Sequence, residues 1–291
     1  MIILASGGIG NQLFISAAAL HISETTRKRV LIISENKLFV REFRKLSPLT
    51  SRSTSISVIH LGVIGAALNK ILDKLANFKY THSIFLFWFS SRMLTLQKPW
   101  EFPFYLLKPG AKLPWILRGY FQDTDFIESL SESNCEFLSE IIYQENYQKF
   151  QSPSKSNRTV GLHIRRGDYT AITEYGTLSL AYFYENLSSL NVTDINLIVA
   201  SDDPRALLEI SRNFPAETLH PDYYNGFDTL RKLSDVDEFI MSNSTFSFWI
   251  GWTVLRRGGK VIAPYPWFKC ANVPSGYLYL PGFKKSHSIF E

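Results

Sequence analysis

Cysteine is nearly absent: Cys135 and Cys270 are the only two in 291 residues. Two thiols close one bridge at most, which excludes a disulfide scaffold and a cysteine-rich zinc module and fits a reducing compartment. The six histidines are scattered, with neither a His-Glu-x-x-His pattern nor a paired-ligand spacing, so no resident metal is expected. Long apolar runs are missing as well. The run over 56–68 is interrupted by His60, and residues 83–89 are few, against the roughly 20 apolar residues of a membrane span. The opening MIILASGGIG has no basic stretch ahead of a long apolar core, so no export signal is expected and the chain reads as cytoplasmic.

Hydrophobic residues make up 45% and charged residues 20%, a globular composition rather than a disordered one. Aromatics reach 14%, with 22 Phe, 14 Tyr and 6 Trp. At this length about two domains of ordinary size are expected. The formal net charge of +5 is unevenly spread. Residues 1–118 hold 16 Lys/Arg against 5 Asp/Glu, residues 119–150 hold 1 against 7, and residues 151–291 hold 14 against 14. The basic surplus sits in the N-terminal part, either as a solvated face or as a surface for an anionic partner. Nucleic acid is not the expected partner. The chain has no RRM, KH or helix-turn-helix signature, and the arginine pair Arg165-Arg166 lies in the neutral half.

An apolar strand over 2–5, a glycine-rich turn over 6–11, a helix over 12–23 and a strand over 30–33 open a parallel α/β unit. Residues 66–75 have helical periodicity, 85–89 form an aromatic run, and 136–150 read as an amphipathic helix. The polar stretch QSPSKSNR over 151–158 is the most linker-like in the chain, and it divides domains over 1–153 and 154–291. Beyond it the alternation resumes: strands over 159–164, 196–200, 239–241 and 261–263, with helices over 179–190, to about Asn213 and to about Leu255. Two α/β domains facing each other across a cleft are expected, with ligands at the C-terminal ends of their strands.

Three segments carry chemistry. Ser6-Gly7-Gly8-Ile9-Gly10-Asn11-Gln12 joins a strand to a helix. Gly8 and Gly10 permit close backbone approach there, Asn11 and Gln12 add side-chain donors, and the helix start attracts an anion. A structural tight turn explains the same residues. His163-Ile164-Arg165-Arg166-Gly167-Asp168-Tyr169 closes a strand; strand alternation puts His163 and Arg165 on one face, and arginine suits bidentate phosphate contacts. The alternative there is an ion pair between Arg166 and Asp168. Asn243-Ser244-Thr245-Phe246-Ser247 opens an apolar helix, as caps or as a second phosphate cradle. The pairs Asp123/Asp125 and Asp235/Asp237 have divalent-cation spacing, but neither follows an apolar strand and both are read as structural.

GGIGNQLF (7–14), GLHIRRGDY (161–169) and SNSTFSFW (242–249), taken with GYFQ (119–122), Ser201-Asp202-Asp203 and Ile262-Ala263-Pro264 before Trp267-Phe268, resemble the bacterial α-1,2-fucosyltransferases of glycosyltransferase family 11. The resemblance implies a GT-B-like fold of two Rossmann-like domains, GDP-fucose as donor, inversion, and neither metal nor cofactor. It implies that Arg165 stabilises the departing diphosphate, with Arg166 beside it and His163 near the guanosine. Asn243, Ser244, Thr245 and Phe246 would surround the pyrophosphate, and Ser201, Asp202 and Asp228 would complete the donor site. Asn11 and Gln12 would reach the nucleotide sugar from the other domain. Asp168 and Glu174 are the candidate bases for the acceptor hydroxyl. Where the family carries a Cys and a His before the NST element, this chain has Val236 and Glu238, and Tyr175 replaces a His.

The implied reaction places fucose on the 2-hydroxyl of a β-galactoside, for a cytoplasmic enzyme a lipid-linked oligosaccharide such as an O-antigen repeat unit. Lys70, Lys74, Lys79, Arg92 and Lys98 around Phe78, Phe85, Phe87, Trp88 and Phe89 would rest on the anionic inner face of the cell membrane, or the aromatics are core. Another nucleotide sugar, or a non-catalytic glycan-binding module, is the alternative.

Overall fold

Alternation of apolar strands with helices builds two parallel sheets, one in each of two units, Met1–Gln144 and Glu145–Glu291. The computed structural model describes residues 1–46, 56–61, 93–95, 114–143, 158–190, 195–273 and 276–291. The expected boundary at 153/154, the helix over 66–75, the aromatic run over 85–89 and the whole basic aromatic cluster lie outside the described residues.

In the first unit, β1 (Ile2–Ala5) is flanked by β2 (Val30–Ser34) and β5 (Ile116–Arg118), with β3 (Ile56–His60) and β4 (Met93–Thr95) outermost. Every pairing is parallel. Helix α1 (Ile9–Thr26) is sheathed on almost every side, with Leu13, Phe14, Ile15 and Ala17–Ala19 fully buried. It packs against β2 and the helix Glu132–Tyr143, and the alanines let those neighbours come close. That second helix begins four residues before its expected start, where the Ser131 carbonyl takes up the first amides, those of Asn134 and Cys135.

The second unit runs β6 (Arg158–Ile164), β7 (Ile195–Ser201), β8 (Ala216–Leu219), β9 (Glu238–Ile240), β10 (Lys260–Tyr265) and β11 (Phe283–His287). Their order in space is β11-β10-β9-β6-β7-β8, all parallel. The chain winds outward from β6 through β7 to β8, returns to the other side of β6, and winds outward again. The reversal falls between β6 and β9, and the crevice at the C-terminal ends of two such strands is where open α/β sheets hold ligands. Val160, Leu162 and Ile164 of β6 share a core with Tyr182, Phe183 and Ile210. On the other face the helix Thr245–Arg256 buries Phe248, Trp249 and Trp252, as its apolar sequence predicts. The expected α/β class therefore stands.

Five strands escaped sequence reasoning: β3, β4 and β5 of the first unit, and β8 and β11 of the second. β8 reads Ala-Glu-Thr-Leu with its middle residues exposed, and β11 reads Phe-Lys-Lys-Ser-His. Both are sheet edges, where polar and lysine-rich sequence blunts further pairing and hides the strand signal.

Candidate active site

In the second unit the segments that leave β6, β7 and β9 come together at this reversal. β6 ends at Ile164, and the chain turns at once into the 3₁₀ turn Gly167–Ala171. That turn carries Asp168 back to Arg165: Arg165 Nη2 donates to Asp168 Oδ1 at 2.5 Å, and Arg165 Nη1 lies 2.7 Å from Asp202 Oδ2. The guanidinium also sits 5.5 Å from the Tyr169 ring centroid. Arg165 is thus fixed between two carboxylates and a ring, yet a third of its side chain remains open to solvent.

Asp202 has a second task. Its Oδ1 accepts the Arg166 backbone N–H at 2.8 Å, so one carboxylate grips both the main chain and the neighbouring guanidinium. It is held close by Gly167, where a Cβ would fall 2.4 Å from Asp202 Oδ2. Ser201 beside it is buried, and its hydroxyl accepts the Asp203 N–H at 3.0 Å, shaping the turn into the helix Pro204–Asn213.

Arg166 is engaged by carboxylates, though not by the Asp168 that its sequence position suggests. Its fork is filled by Glu291, at 2.6 and 2.8 Å, and its Nε lies 3.2 Å from Asp203 Oδ2. A bidentate carboxylate occupies the donors that a phosphate would need. Sequence gave no signal for this pair, whose members are 125 residues apart.

The helix Thr245–Arg256 opens beside this cluster. Ser244 is its N-cap, and the buried hydroxyl accepts the Ser247 N–H at 3.1 Å. The two amides ahead of that bond, Thr245 and Phe246, have no backbone partner among the described residues. A helix start with open N–H groups favours an anion. Ser244 shapes that start and does not itself face outward. Asn243 is also fully buried; its Nδ2 donates to the carbonyls of Tyr175 at 3.2 Å and Gly176 at 3.0 Å, clamping the 167–176 loop to the helix.

His163 is buried rather than presented to a ligand. Its Nδ1 is shared by Ser247 Oγ at 2.6 Å and Ser242 Oγ at 3.2 Å, and its ring packs 5.0 Å from that of Phe246. Burial, reinforced by the Arg165 charge, pulls its pKa down to about 3, so the ring is neutral at physiological pH. It supports Phe246 and the serine network and brings no positive charge. Phe246, half-buried, and Thr245 are left at the rim.

The exposed Glu174 follows the 3₁₀ turn, with Thr173 Oγ1 at 3.4 Å as its side-chain hydrogen-bond partner. Tyr169, Tyr175 and Phe268 form a row of rings 5.4 and 5.3 Å apart beside Arg165. Burial holds the Tyr169 phenol protonated well above its ordinary range. Of this row only Tyr169 belongs to a motif with a strand-end signal. Asp228 lies in the first turn of the helix Gly226–Ser234, bonded to its cap Asn225 and 3.3 Å from Arg231.

The departures at Val236 and Glu238 fall away from the crevice. Glu238 starts β9 and pairs with Arg158 at the start of β6, at the opposite end of the strands. The aspartate pairs have structural duties too: Asp123 caps the helix Thr124–Glu128, Asp235 pairs with Arg257 at 2.9 Å, and Asp237 accepts the Thr159 N–H at 2.7 Å.

In the first unit the strand order reverses between β1 and β5, and the glycine loop and the GYFQ segment leave their C-terminal ends. Gly7, at φ 86, is the glycine the loop requires, while Gly8 is exposed with open space at its Cβ position and Gly10 is buried. Gln12 is fully buried: its Nε2 donates to the Gly7 carbonyl at 3.3 Å and its Oε1 accepts Ser34 Oγ at 2.9 Å. It braces the loop and has no free end for a ligand. Asn11 is half-buried and accepts a hydrogen bond from Gln122 at 3.0 Å.

A doubly wound sheet with a fixed arginine and open helix amides at its reversal point is the arrangement in which open α/β sheets hold anionic ligands. The sequence matches Glycosyl transferase family 11 over residues 1–271, and the chain belongs to that family. It is 26% identical over 300 residues to the O-antigen biosynthesis glycosyltransferase WbnK of Escherichia coli, covering 92% of this chain and 94% of that one. An alpha-1,2-colitosyltransferase of Escherichia coli is 24% identical over 160 residues, 52% of this chain and 55% of its own. Among solved structures, the fucosyltransferase NodZ from Bradyrhizobium aligns with TM-score 0.47 and 12% identity, over 87% of this chain and 92% of that one. No helix among the described residues is long and apolar enough to cross a membrane.

Proposed function

We propose that this family 11 glycosyltransferase moves fucose from GDP-fucose to the 2-hydroxyl of a β-galactoside, with inversion and without a metal. The acceptor in this reading is a lipid-linked repeat unit of an O-antigen, in line with the name of the relative that aligns over 92% of the chain. The observation that carries the reading is Arg165, held by Asp168 and Asp202 at the end of β6.

When the bond between the anomeric carbon and the β-phosphate oxygen breaks, the leaving GDP gains negative charge. Arg165 and the open amides of Thr245 and Phe246 are positive groups fixed in advance, which need no reorganisation as that charge develops. They take the place a divalent ion would fill. Inversion requires the acceptor hydroxyl to enter opposite the phosphate, and its proton to pass to a base on that side. Asp168 is tied to the arginine that meets the phosphate, which suits a positioning role. Glu174, exposed and with no cationic partner among the described residues, suits the base.

A second reading concerns only the donor. A relative named for colitosyl transfer matches half of this chain, which makes a colitosyl donor the second one to test. The test is a panel of GDP- and UDP-sugars with simple β-galactosides in excess EDTA, following nucleotide release and product linkage. An α-1,2-linked fucosyl product in EDTA supports the proposal in donor, linkage and metal independence. Turnover of a different donor, with none of GDP-fucose, refutes the donor assignment. Contact with an anionic membrane is tested by co-sedimentation with liposomes of varied anionic lipid content; binding indifferent to lipid charge and salt refutes it.

A further inference from the structure

The strand reversal in the first unit brings together two carboxamides that are 111 residues apart. Gln122 Nε2 donates to Asn11 Oδ1 at 3.0 Å. Two amides joined by one such bond leave an N–H₂ group and a carbonyl side by side, whichever amide donates. Here these are Asn11 Nδ2 and Gln122 Oε1, and neither has a hydrogen-bond partner among the described residues. Gln12, next to Asn11 in sequence, is the contrast, since both ends of its amide are consumed internally.

The backbone on each side of the pair adopts conformations that side chains disfavour. Gly7 is at φ 86, and a Cβ there would stand 2.5 Å from Asn11 Nδ2. Phe121, fully buried and adjacent to Gln122, is at φ 53, in the left-handed region that a bulky residue seldom enters. One costly conformation, that of Phe121, and one that only glycine adopts freely, that of Gly7, flank one open amide pair, at the strand ends where such sheets hold ligands.

We propose that Asn11 and Gln122 form a pyranose subsite whose donor and acceptor read two neighbouring sugar hydroxyls. A hydroxyl both donates and accepts, so a vicinal diol complements an N–H₂ beside a carbonyl. An anion does not, because the carbonyl would face its charge. The inference rests on the glycosyl-transfer reading for its ligand class. The ring it reads belongs to the acceptor or to the donor sugar.

The experiment measures kcat/KM for wild type, Asn11→Ala and Gln122→Ala with GDP-fucose and methyl β-galactopyranoside. The series is then repeated with monodeoxy analogues of the galactoside and of the donor's fucose. Thermal midpoints establish folding, and Gln122→Met replaces the alanine variant should that one not fold. Wild type is expected to disfavour one deoxy analogue at least 10-fold. Gln122→Ala is expected to lose about 10-fold on the parent and nothing on that analogue, as coupled partners do in a double-mutant cycle. Coupling to a deoxygalactoside assigns the acceptor, and coupling to a deoxyfucosyl donor assigns the donor. Equal losses on every substrate would show that the amides only shape the loop and would overturn the proposal. If wild type transfers to no β-galactoside from any donor, the functional reading fails by itself. Saturation-transfer NMR with methyl β-galactopyranoside and methyl α-fucopyranoside then decides. A signal from wild type that Gln122→Ala loses sustains the subsite, and no signal from either sugar overturns it.

Discussion

Asp202 holds Arg165 from behind: its Oδ2 lies 2.7 Å from Arg165 Nη1, while its Oδ1 accepts the next backbone N–H at 2.8 Å. The carboxylate fixes the angle at which the guanidinium leaves β6, so its influence on transfer passes through Arg165. Asp202→Asn keeps the backbone bond and removes the charge. It is expected to lower kcat about 10- to 100-fold, with thermal stability changed little because the ion pair is partly exposed. Steady-state kinetics with a melting curve checks this; an unchanged kcat would detach Asp202 from Arg165.

Gly167 belongs to the same arrangement. An alanine Cβ would fall 2.4 Å from Asp202 Oδ2, so either the carboxylate or the turn has to move. Gly167→Ala is expected to reproduce the kcat loss of Asp202→Asn, and the double variant to lose no more than either alone, since both act on one contact. Additive losses would separate the two residues.

Adjacent arginines are expected to behave differently. Arg166 is engaged by Glu291 and Asp203, so Arg166→Ala should change the donor KM less than about threefold and cost about 1 kcal/mol or less of stability, as exposed ion pairs do. Titration of donor against initial rate measures it. A loss equal to that of Arg165→Ala would mean that Arg166 leaves Glu291 to bind phosphate.

Acid stability has a predicted sign. In the fold the His163 pKa is lowered from 6.5 to about 3, whereas the unfolded chain takes up a proton near its ordinary value. Below about pH 6.5 the unfolded state therefore binds more protons, and stability falls with decreasing pH until about pH 3, by up to about 1.4 kcal/mol per unit. Above pH 6.5 this group contributes no slope. Chemical denaturation of wild type and His163→Gln between pH 4 and 7 checks it: the difference in stability between them should shrink as pH falls.

The segments of the candidate site were legible in the sequence because each stands at the end of an apolar strand, where the change from apolar to polar marks a ligand edge. Arg165, Thr245 and Phe246 lie where that signal puts them. Partners that are distant in the chain, and side chains that turn inward, are not legible in it. Arg166 meets Glu291, Asn243 clamps two loop carbonyls, and Gln12 braces Gly7. The pairing of Asp168 with Arg165 rather than Arg166 is not legible either, because the 3₁₀ turn, invisible in composition, brings Asp168 three residues back to Arg165. Gln122 stood in a motif with no assigned role until the strand order set it against Asn11.

Arg165 is the group proposed to stabilise the departing nucleotide. Its most direct test is the initial rate of GDP release from GDP-fucose with a β-galactoside, in EDTA, for wild type and Arg165→Ala at saturating substrates. Wild type is expected to turn over and folded Arg165→Ala to lose activity by more than 1,000-fold, or about 4 kcal/mol of transition-state stabilisation. A folded Arg165→Ala that keeps more than about a tenth of the wild-type rate, a loss under about 1.4 kcal/mol, would contradict it.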